Sequence, residues 1–563
     1  MKYVVVGGVA GGASAAARLR RLDEKAEIII IEKSGHVSFS NCAMLFYLSG
    51  MVREKGSLVL MNPEKFKKQY HIDARVAEEV VRINRMEKTV TVKKLETGKL
   101  YEESYDRLIL CPGARPLRPS SIKGLDGPHV FTIRNVEDIA SLKKQIDEPS
   151  CRRAVVMGGG FIGIEAAENL VSAGLSVTVC EAAPQILLPL DEDMVQILHK
   201  ELLDHGVNLI LNDGVKEVTN HCVILASGRE IPADAVVLAI GIRPDTELAE
   251  KAGLLLGETG AIAVDSTGRT SDPSIYAAGD AVEVYHALSR RFTKLSLAGP
   301  AQQEARRAAT AICGNSLRNP GVIGSFAIEV FDYHAAATGL NEKAAEAAGI
   351  PFDTVTVIPF DRVSMMPGAC PLFFKLIYEK VTGRLLGAQC ISKGDAERRV
   401  DVAAALISKG GTLEDARDVE LCYMPLIGTA KDAVNLAGMA GLNLLHGEYR
   451  QVPVSMAREL VEKGAFIVDV REKGEYEKGH LKGSVNIPLS ELRERIDEIP
   501  RHCPVYLHCR SGQRSYYAIR ALQGRGYRNL YNISGSFLFL SFYEYFKDRT
   551  FGRTPIVTDY NFE

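Results

Sequence analysis

The chain has 563 residues, 68 basic against 70 acidic for a net charge of −2, with 46% apolar and 25% charged residues. At about 150 residues per domain this is a soluble globular protein of three to four domains, and the balance excludes extended disorder and a broad cationic face for nucleic acid. No apolar run approaches the roughly 18 residues that span a bilayer, so no membrane partner is expected. The first apolar stretch, Val4-Val5-Val6, is only a strand long before Gly7-Gly8 interrupt it, which reads as no signal peptide and a cytoplasmic protein. The eleven cysteines stand singly, without a C-x-x-C pair or zinc-type spacing, so neither a disulfide scaffold nor a metal site is indicated.

In chain order, a strand over 3–6 enters Gly7-Gly8-Val9-Ala10-Gly11-Gly12, a helix follows over 13–22, and a second strand over 28–31 ends at Glu32. The order recurs with a strand over 154–157, Gly158-Gly159-Gly160-Phe161-Ile162-Gly163, a helix to 170 and a strand over 177–180 ending at Glu181. Both are dinucleotide-binding fingerprints: glycines for a tight turn and close backbone approach to pyrophosphate, a helix N-terminus for the phosphates, and a carboxylate for the ribose hydroxyls. Val9 replaces the middle glycine in the first copy. Glu181 is followed by Ala182-Ala183-Pro184 rather than arginines, and a carboxylate there repels a 2′-phosphate, which favours NADH over NADPH.

Between the two copies stands Ser38-Phe39-Ser40-Asn41-Cys42, followed by a helix-compatible run. A cysteine opening a helix gains thiolate stabilisation from unsatisfied N–H groups. With Tyr47 five residues on, there is no second thiol, so Cys42 must form a mixed disulfide, persulfide or sulfenic acid with an outside partner. The plain alternative is a buried structural cysteine. Arg18 and Arg21 share a helix face at i, i+3 and fit a pyrophosphate or 3′-phosphate clamp, or equally a solvated face.

After about residue 447 a fresh α/β pattern begins. Phe466-Ile467-Val468-Asp469-Val470-Arg471 is followed by Gly479-His480-Leu481-Lys482-Gly483, and then a strand, Val505-Tyr506-Leu507-His508, delivers Cys509-Arg510-Ser511-Gly512-Gln513-Arg514-Ser515. A cysteine leaving a strand into a short Gly/Ser/Arg loop lies in a nest of backbone N–H groups that favours a thiolate or persulfide, and Arg510 and Arg514 are expected to add positive charge.

Thr270-Ser271-Asp272-Pro273-Ser274-Ile275-Tyr276-Ala277-Ala278-Gly279-Asp280 resembles the second flavin motif of the two-dinucleotide-binding flavoproteins, in which the aspartate, here Asp280, holds the ribityl chain. Leu108-Ile109-Leu110-Cys111-Pro112-Gly113 and Ala239-Ile240-Gly241-Ile242-Arg243-Pro244 resemble their domain crossings. Residues 1 to about 445 are thus similar to the pyridine nucleotide-disulfide oxidoreductases, and the remainder is similar to the rhodaneses, in which a loop matching Cys509 to Arg514 cradles a sulfane sulfur while Asp469, Arg471 and His480 orient the fold. Ser-Phe-x-Asn-Cys further resembles the coenzyme A disulfide reductases and their rhodanese-fused, persulfide- or polysulfide-reducing relatives.

The resemblance implies an α/β chain with two Rossmann-like dinucleotide-binding domains, an α+β dimerisation domain and a C-terminal α/β rhodanese domain. The boundaries read as 1–115 with 246–320 for FAD, 116–245 for NADH, 321–447 for dimerisation and 448–563 for the rhodanese. It implies FAD held by Gly7, Gly8, Gly11, Gly12, Glu32 and Asp280, and NADH held by Gly158, Gly160, Gly163 and Glu181. Glu165 would approach nicotinamide and flavin, its alternative being a helix-surface carboxylate. Bound coenzyme A would touch Ser14, Arg18, Arg21, Ser38 and Asn41, and in a homodimer Tyr423 would reach the redox thiol of the other subunit. The activity implied is NADH-driven reduction of a persulfide, polysulfide or coenzyme A disulfide through Cys42, with Cys509 handling sulfane sulfur. The alternatives are an NADH oxidase or peroxidase with a Cys42 sulfenic acid, or a sulfane-sulfur carrier or sensor without turnover. Two departures, Met365-Met366 before Pro367-Gly368-Ala369 and Ala43-Met44-Leu45-Phe46 after Cys42, put thioethers where relatives carry phenols, which suits an apolar or sulfur-rich substrate.

Overall fold

A computed structural model describes residues 1–562. The chain divides into two compact units, one of Met1–Ile186 with Val207–Val322 and one of Leu187–Gly206 with Ile323–Glu563. Among the described residues, no helix is long and apolar enough to cross a membrane.

The first unit holds two parallel five-stranded sheets. One runs Ile275–Ala277, Arg107–Leu110, Lys2–Val6, Glu27–Ile31, Asp73–Arg75. The other runs Asn208–Ile210, Ser176–Cys180, Arg153–Met157, Ala235–Leu238, Val130–Phe131. Their central strands are near-continuous apolar runs, Val4-Val5-Val6 and Val155-Val156-Met157, because both faces of a parallel sheet are covered. The helices Ala10–Leu22 and Phe161–Ser172 follow the two glycine turns.

The turns are superimposable in their physical demands. Gly7 (φ +91°) and Gly158 (φ +103°) leave their strands in the left-handed region, and a Cβ would stand 2.1 Å from the Cys111 carbonyl oxygen in one and 2.5 Å from that of Ala239 in the other. A Cβ on Gly12 or Gly163 would stand 1.8 or 2.0 Å from the carbonyl oxygen of its own turn's first glycine, so only glycine lets these helices sit on their strands.

The second unit joins an antiparallel sheet, Ser325–Val330, Tyr333–Gly339, Leu385–Ser392, Leu372–Glu379, Phe352–Val357, to a parallel one, Gln451–Val452, Leu530–Ile533, Val505–His508, Phe466–Asp469, Val485–Asn486. The helix Glu192–Asp204 belongs to this unit although its neighbours in sequence belong to the first. It packs on the largely buried helix Ser536–Phe551. Phe373 of the antiparallel sheet meets Phe539 and Phe542 of that helix at ring distances of 5.9 and 5.3 Å, and Phe546 meets His199 at 4.8 Å.

Candidate functional site

In the first unit a cleft of 520 Å³ opens over the first glycine turn, lined by Gly7, Gly11, Glu32, Asn41, Cys111 and Asp280 among others. Glu32 accepts the Gly8 N–H at 2.7 Å and the Ser34 N–H at 2.8 Å. Glu181 does the same in the second copy, accepting from Gly159 at 2.6 Å and Ala183 at 2.7 Å. Each carboxylate therefore latches its own turn as well as offering lone pairs to a ribose. Asp280 is pushed up by burial, and no described side chain or backbone group hydrogen-bonds its carboxylate. A desolvated, unpartnered carboxylate in a glycine-floored cleft fits the hydroxyl-rich chain of an FAD. In the second turn nothing lies within 4 Å of a Cβ added to Gly160, which leaves the backbone there open to a second dinucleotide.

Cys42 is solvent-exposed. The expected helix does not start there: residues 41–44 are turn, and a single 3-10 turn, Leu45–Tyr47, follows. The thiol is pushed up rather than down, by the protein mass beside it, then by the Glu165 and Asp280 carboxylates. The helix-terminus argument for a stabilised thiolate is thus corrected: the Cys42 backbone N–H favours the thiolate, but burial and the two carboxylates outweigh it, and no helix starts here. Glu165 is itself pushed up to about 7 by burial. Met44, 1% exposed, is packed inside the protein, so its thioether is not presented to a substrate as expected. Met365 is 80% exposed.

Ser14, Arg18, Arg21 and Ser38 line one cleft of 530 Å³, together with Arg306 and the apolar wall of Met61, Phe66 and Tyr70. Asn41 lies instead in the cleft above the glycine turn. The loop 38–42 therefore borders both, with Ser38 (φ +51°) on one side and Asn41 on the other. Arg18 donates from Nε to Thr310 Oγ1 at 3.3 Å. Arg20, between the two named arginines, is turned inward onto the carbonyls of Tyr70, Ala26 and Glu24. Arg306 escaped the sequence reading because only the fold brings the helix Ala298–Ile312 beside Ala10–Leu22.

In the second unit Cys509 is buried at the end of the strand Val505–His508. Its Sγ accepts the Gly512 N–H at 3.1 Å and faces the hydroxyls of Ser515 at 3.7 Å and Ser536 at 3.9 Å. Ser536 (φ +55°) also accepts the Cys509 N–H at 3.1 Å. Both arginines act electrostatically on Cys509, as expected, but each is also held by another partner. Arg514 forms a two-pronged pair with Glu475 at 2.6 and 2.7 Å, so its charge is matched. Arg510, lowered by burial, stacks over Phe360 at 5.5 Å. Asp469 and Arg471 form a buried pair, with Arg471 also donating to the Gly479 carbonyl at 2.7 Å, while His480 stacks on Tyr476 at 3.7 Å. These three brace the domain.

Tyr423 stands in irregular chain, not in a helix, and is 51% exposed beside exposed Met424, Leu426 and Ile427. Arg398 holds this segment by donating to the carbonyls of Cys422 at 3.1 Å and Ile427 at 2.9 Å.

Two dinucleotide-binding folds of parallel strands, a glycine-floored cleft bordered by the loop that carries exposed Cys42, and a separate buried cysteine in a loop are the architecture of a flavin- and NAD(P)H-dependent oxidoreductase with a rhodanese-type module. Residues 1–305 match the pyridine nucleotide-disulphide oxidoreductases, 326–433 match their dimerisation domain and 454–538 match the rhodanese-like domain, so the chain belongs to that oxidoreductase family and carries a fused rhodanese domain. It is similar to coenzyme A disulfide reductase of Staphylococcus epidermidis, at 32% identity over 78% of this chain and 99% of that protein. Among solved structures it is similar to reduced CoADR-RHD of Bacillus anthracis (TM-score 0.93, 42% identity, 96% of this chain and 98% of that one). It is similar also to an NAD-dependent persulfide reductase from A. fulgidus (TM-score 0.91, 35% identity, 96% and 100%).

Proposed function

We propose that this enzyme is a homodimeric, NADH-driven reductase of persulfides, polysulfides or coenzyme A disulfide, working through Cys42. The observation that carries the reading is the loop 38–42, which runs between the glycine-floored cleft and the arginine cleft and ends at the exposed thiol. Three arginines against an apolar wall suit a polyphosphate with an aromatic base, which is the chemistry of coenzyme A.

FAD, when bound, would supply the two-electron chemistry that links NADH to sulfur. Glu32, the turn from Gly7 to Gly12 and Asp280 would hold it; Gly158, Gly160, Gly163 and Glu181 would hold NADH, with Glu165 beside the reacting end. Cys42 as thiolate attacks the outer sulfur of RS–SH: that S–S bond breaks, RS⁻ leaves, and Cys42 carries the persulfide. Two electrons drawn from NADH and one proton then restore the thiolate and release hydrogen sulfide. Tyr423, in an apolar patch suited to the dimer contact, donates a hydrogen bond to the leaving thiolate in the second subunit. Cys509, beneath the Gly512 N–H and two serine hydroxyls, holds the sulfane sulfur that is passed to or from a small-molecule carrier.

Anaerobic NADH oxidation with polysulfide, coenzyme A persulfide and coenzyme A disulfide tests this. Multiple turnover on at least one of them, abolished in Cys42→Ser and slowed without loss of FAD in Tyr423→Phe, is expected. Silence on all three, with activity restored by oxygen or peroxide, overturns the assignment in favour of an oxidase.

A further inference from the structure

The helix Ala298–Ile312 presents different residues to different sites. Arg306 lines the arginine cleft, whereas Glu304 and Arg307 line a separate 290 Å³ pocket with Asp265, Asn319 and Tyr285. Glu304 is 8% exposed, and its Oε2 accepts the Gly279 N–H at 2.9 Å. Gly279 (φ +84°) and Asp280 both line the glycine-floored cleft. One carboxylate thus stands between two cavities, touching the pocket directly and the cleft through a single backbone amide.

Such a group is an expensive choice. A buried carboxylate loses hydration, and here Asp280 adds a second negative charge while Arg307 offsets part of it. Burial, opposed by the Gly279 N–H and by Arg307 and reinforced by Asp280, pushes Glu304 up to about 7. The Cys111 thiol on the neighbouring strand end is pushed up to about 12 by burial first and Glu304 second, and so stays neutral. Glu283 also lines the pocket.

We propose that Glu304 is a positioning residue of the flavin site, pinning the Gly279 amide and thereby fixing the turn that presents Asp280 to the cofactor's ribityl chain. The inference rests on the flavin assignment above. Glu304 acts through Gly279 and does not itself touch the cofactor. Ionised, it accepts a charge-assisted hydrogen bond, roughly twice as strong as a neutral one, so the turn is held more firmly above the pH at which it loses its proton. The same burial has the opposite sign for the apoprotein. A carboxyl whose folded value lies above its unfolded value of 4.5 contributes stability in acid that is lost as pH rises to about 7.

The test uses the full chain stripped of FAD, with wild type, Glu304→Gln and Glu304→Ala compared at about pH 6 and about pH 8.5, on either side of the transition. FAD dissociation constants come from quenching of flavin fluorescence, and melting temperatures from the apoproteins. Wild type should bind FAD several-fold more tightly at the higher pH, Glu304→Gln should lose that difference, and Glu304→Ala should bind about tenfold more weakly than wild type at the higher pH, as expected when a backbone donor loses a charged acceptor. Apo Glu304→Gln should melt above wild type at the higher pH only, which shows that its folding is intact. Asp280 is kept in all three proteins, so a pH dependence that survives in Glu304→Gln comes from a group other than Glu304. Wild-type affinity in Glu304→Ala at both pH values, or an undiminished pH dependence in Glu304→Gln, overturns the inference while leaving the flavin site standing. A wild type that takes up no FAD overturns both.

Discussion

At Cys42 the local charges oppose the thiolate. The thiol is pushed up by the protein mass beside it and then by Glu165 and Asp280, and Glu165 itself loses its proton only near 7. Replacing Glu165 by Gln removes one like charge and should lower the Cys42 thiol pKa, so alkylation of Cys42 by iodoacetamide, followed on its own peptide by mass spectrometry, should be about two- to tenfold faster at pH 8, an effect of a unit pKa or less. The gain should fade below about pH 6, where wild-type Glu165 is already protonated. Equal rates at both pH values would separate Glu165 from the thiol. The glycines and acids of the fingerprints were legible in sequence because strand, turn, helix and carboxylate recur at fixed spacing, and a spacing is a local property. The state of Cys42 was not, because its neighbours come from segments more than a hundred residues away. For the same reason Met44 looked like a surface thioether from its place beside Cys42, whereas it points into the interior.

The two cofactor-type folds and the C-terminal domain were readable from apolar strands that end in glycine or cysteine. The allegiance of the helix Glu192–Asp204 was not. Its sequence lies between two strands of the second dinucleotide fold, but the segment is held in the other unit by a charge cluster no pattern announces. Lys375, 1% exposed on the strand Leu372–Glu379, donates to Asp193 at 2.8 Å, approaches Asp191 at 3.1 Å and also pairs with Glu342. Burial alone would push Lys375 down; the carboxylates of Asp193, Asp191 and Glu342 outweigh it and hold the ammonium charged. Lys375→Met leaves three crowded carboxylates without their cation and should cost about 3–5 kcal/mol. Urea unfolding followed by circular dichroism checks this, and the loss should shrink in acid as the carboxylates take up protons. A midpoint shift under about 1 kcal/mol would mean that apolar packing alone seats the helix.

The rhodanese domain is built into the second unit rather than hung from it. Gln451 donates to the Thr354 carbonyl at 2.7 Å, Asn443 to the Tyr516 hydroxyl at 3.1 Å, and Lys547 pairs with Glu192 at 2.6 Å. Beneath these, Phe537, Phe539, Phe542 and Phe546 of the helix Ser536–Phe551 are all nearly inaccessible, two of them against Phe373 and one against His199. Each buried phenylalanine contributes about 1.5–3 kcal/mol, so the joint is apolar and strong, and the polar contacts at its margin fix its register. A flexible tether between two independent enzymes would show none of this. Removing residues 448–563 should therefore do more than delete a thiol: it uncovers Phe373 and His199, which is fully buried and held neutral by burial, its pKa pushed down to about 3. The truncated chain should melt at a lower temperature and associate on warming, as expected of a newly exposed apolar patch. Full-length Cys509→Ser should melt as wild type does, because it removes only a sulfur. Differential scanning fluorimetry with light scattering on the three proteins distinguishes the cases. A truncated protein as stable and as dispersed as the whole would show that the joint is a contact of convenience.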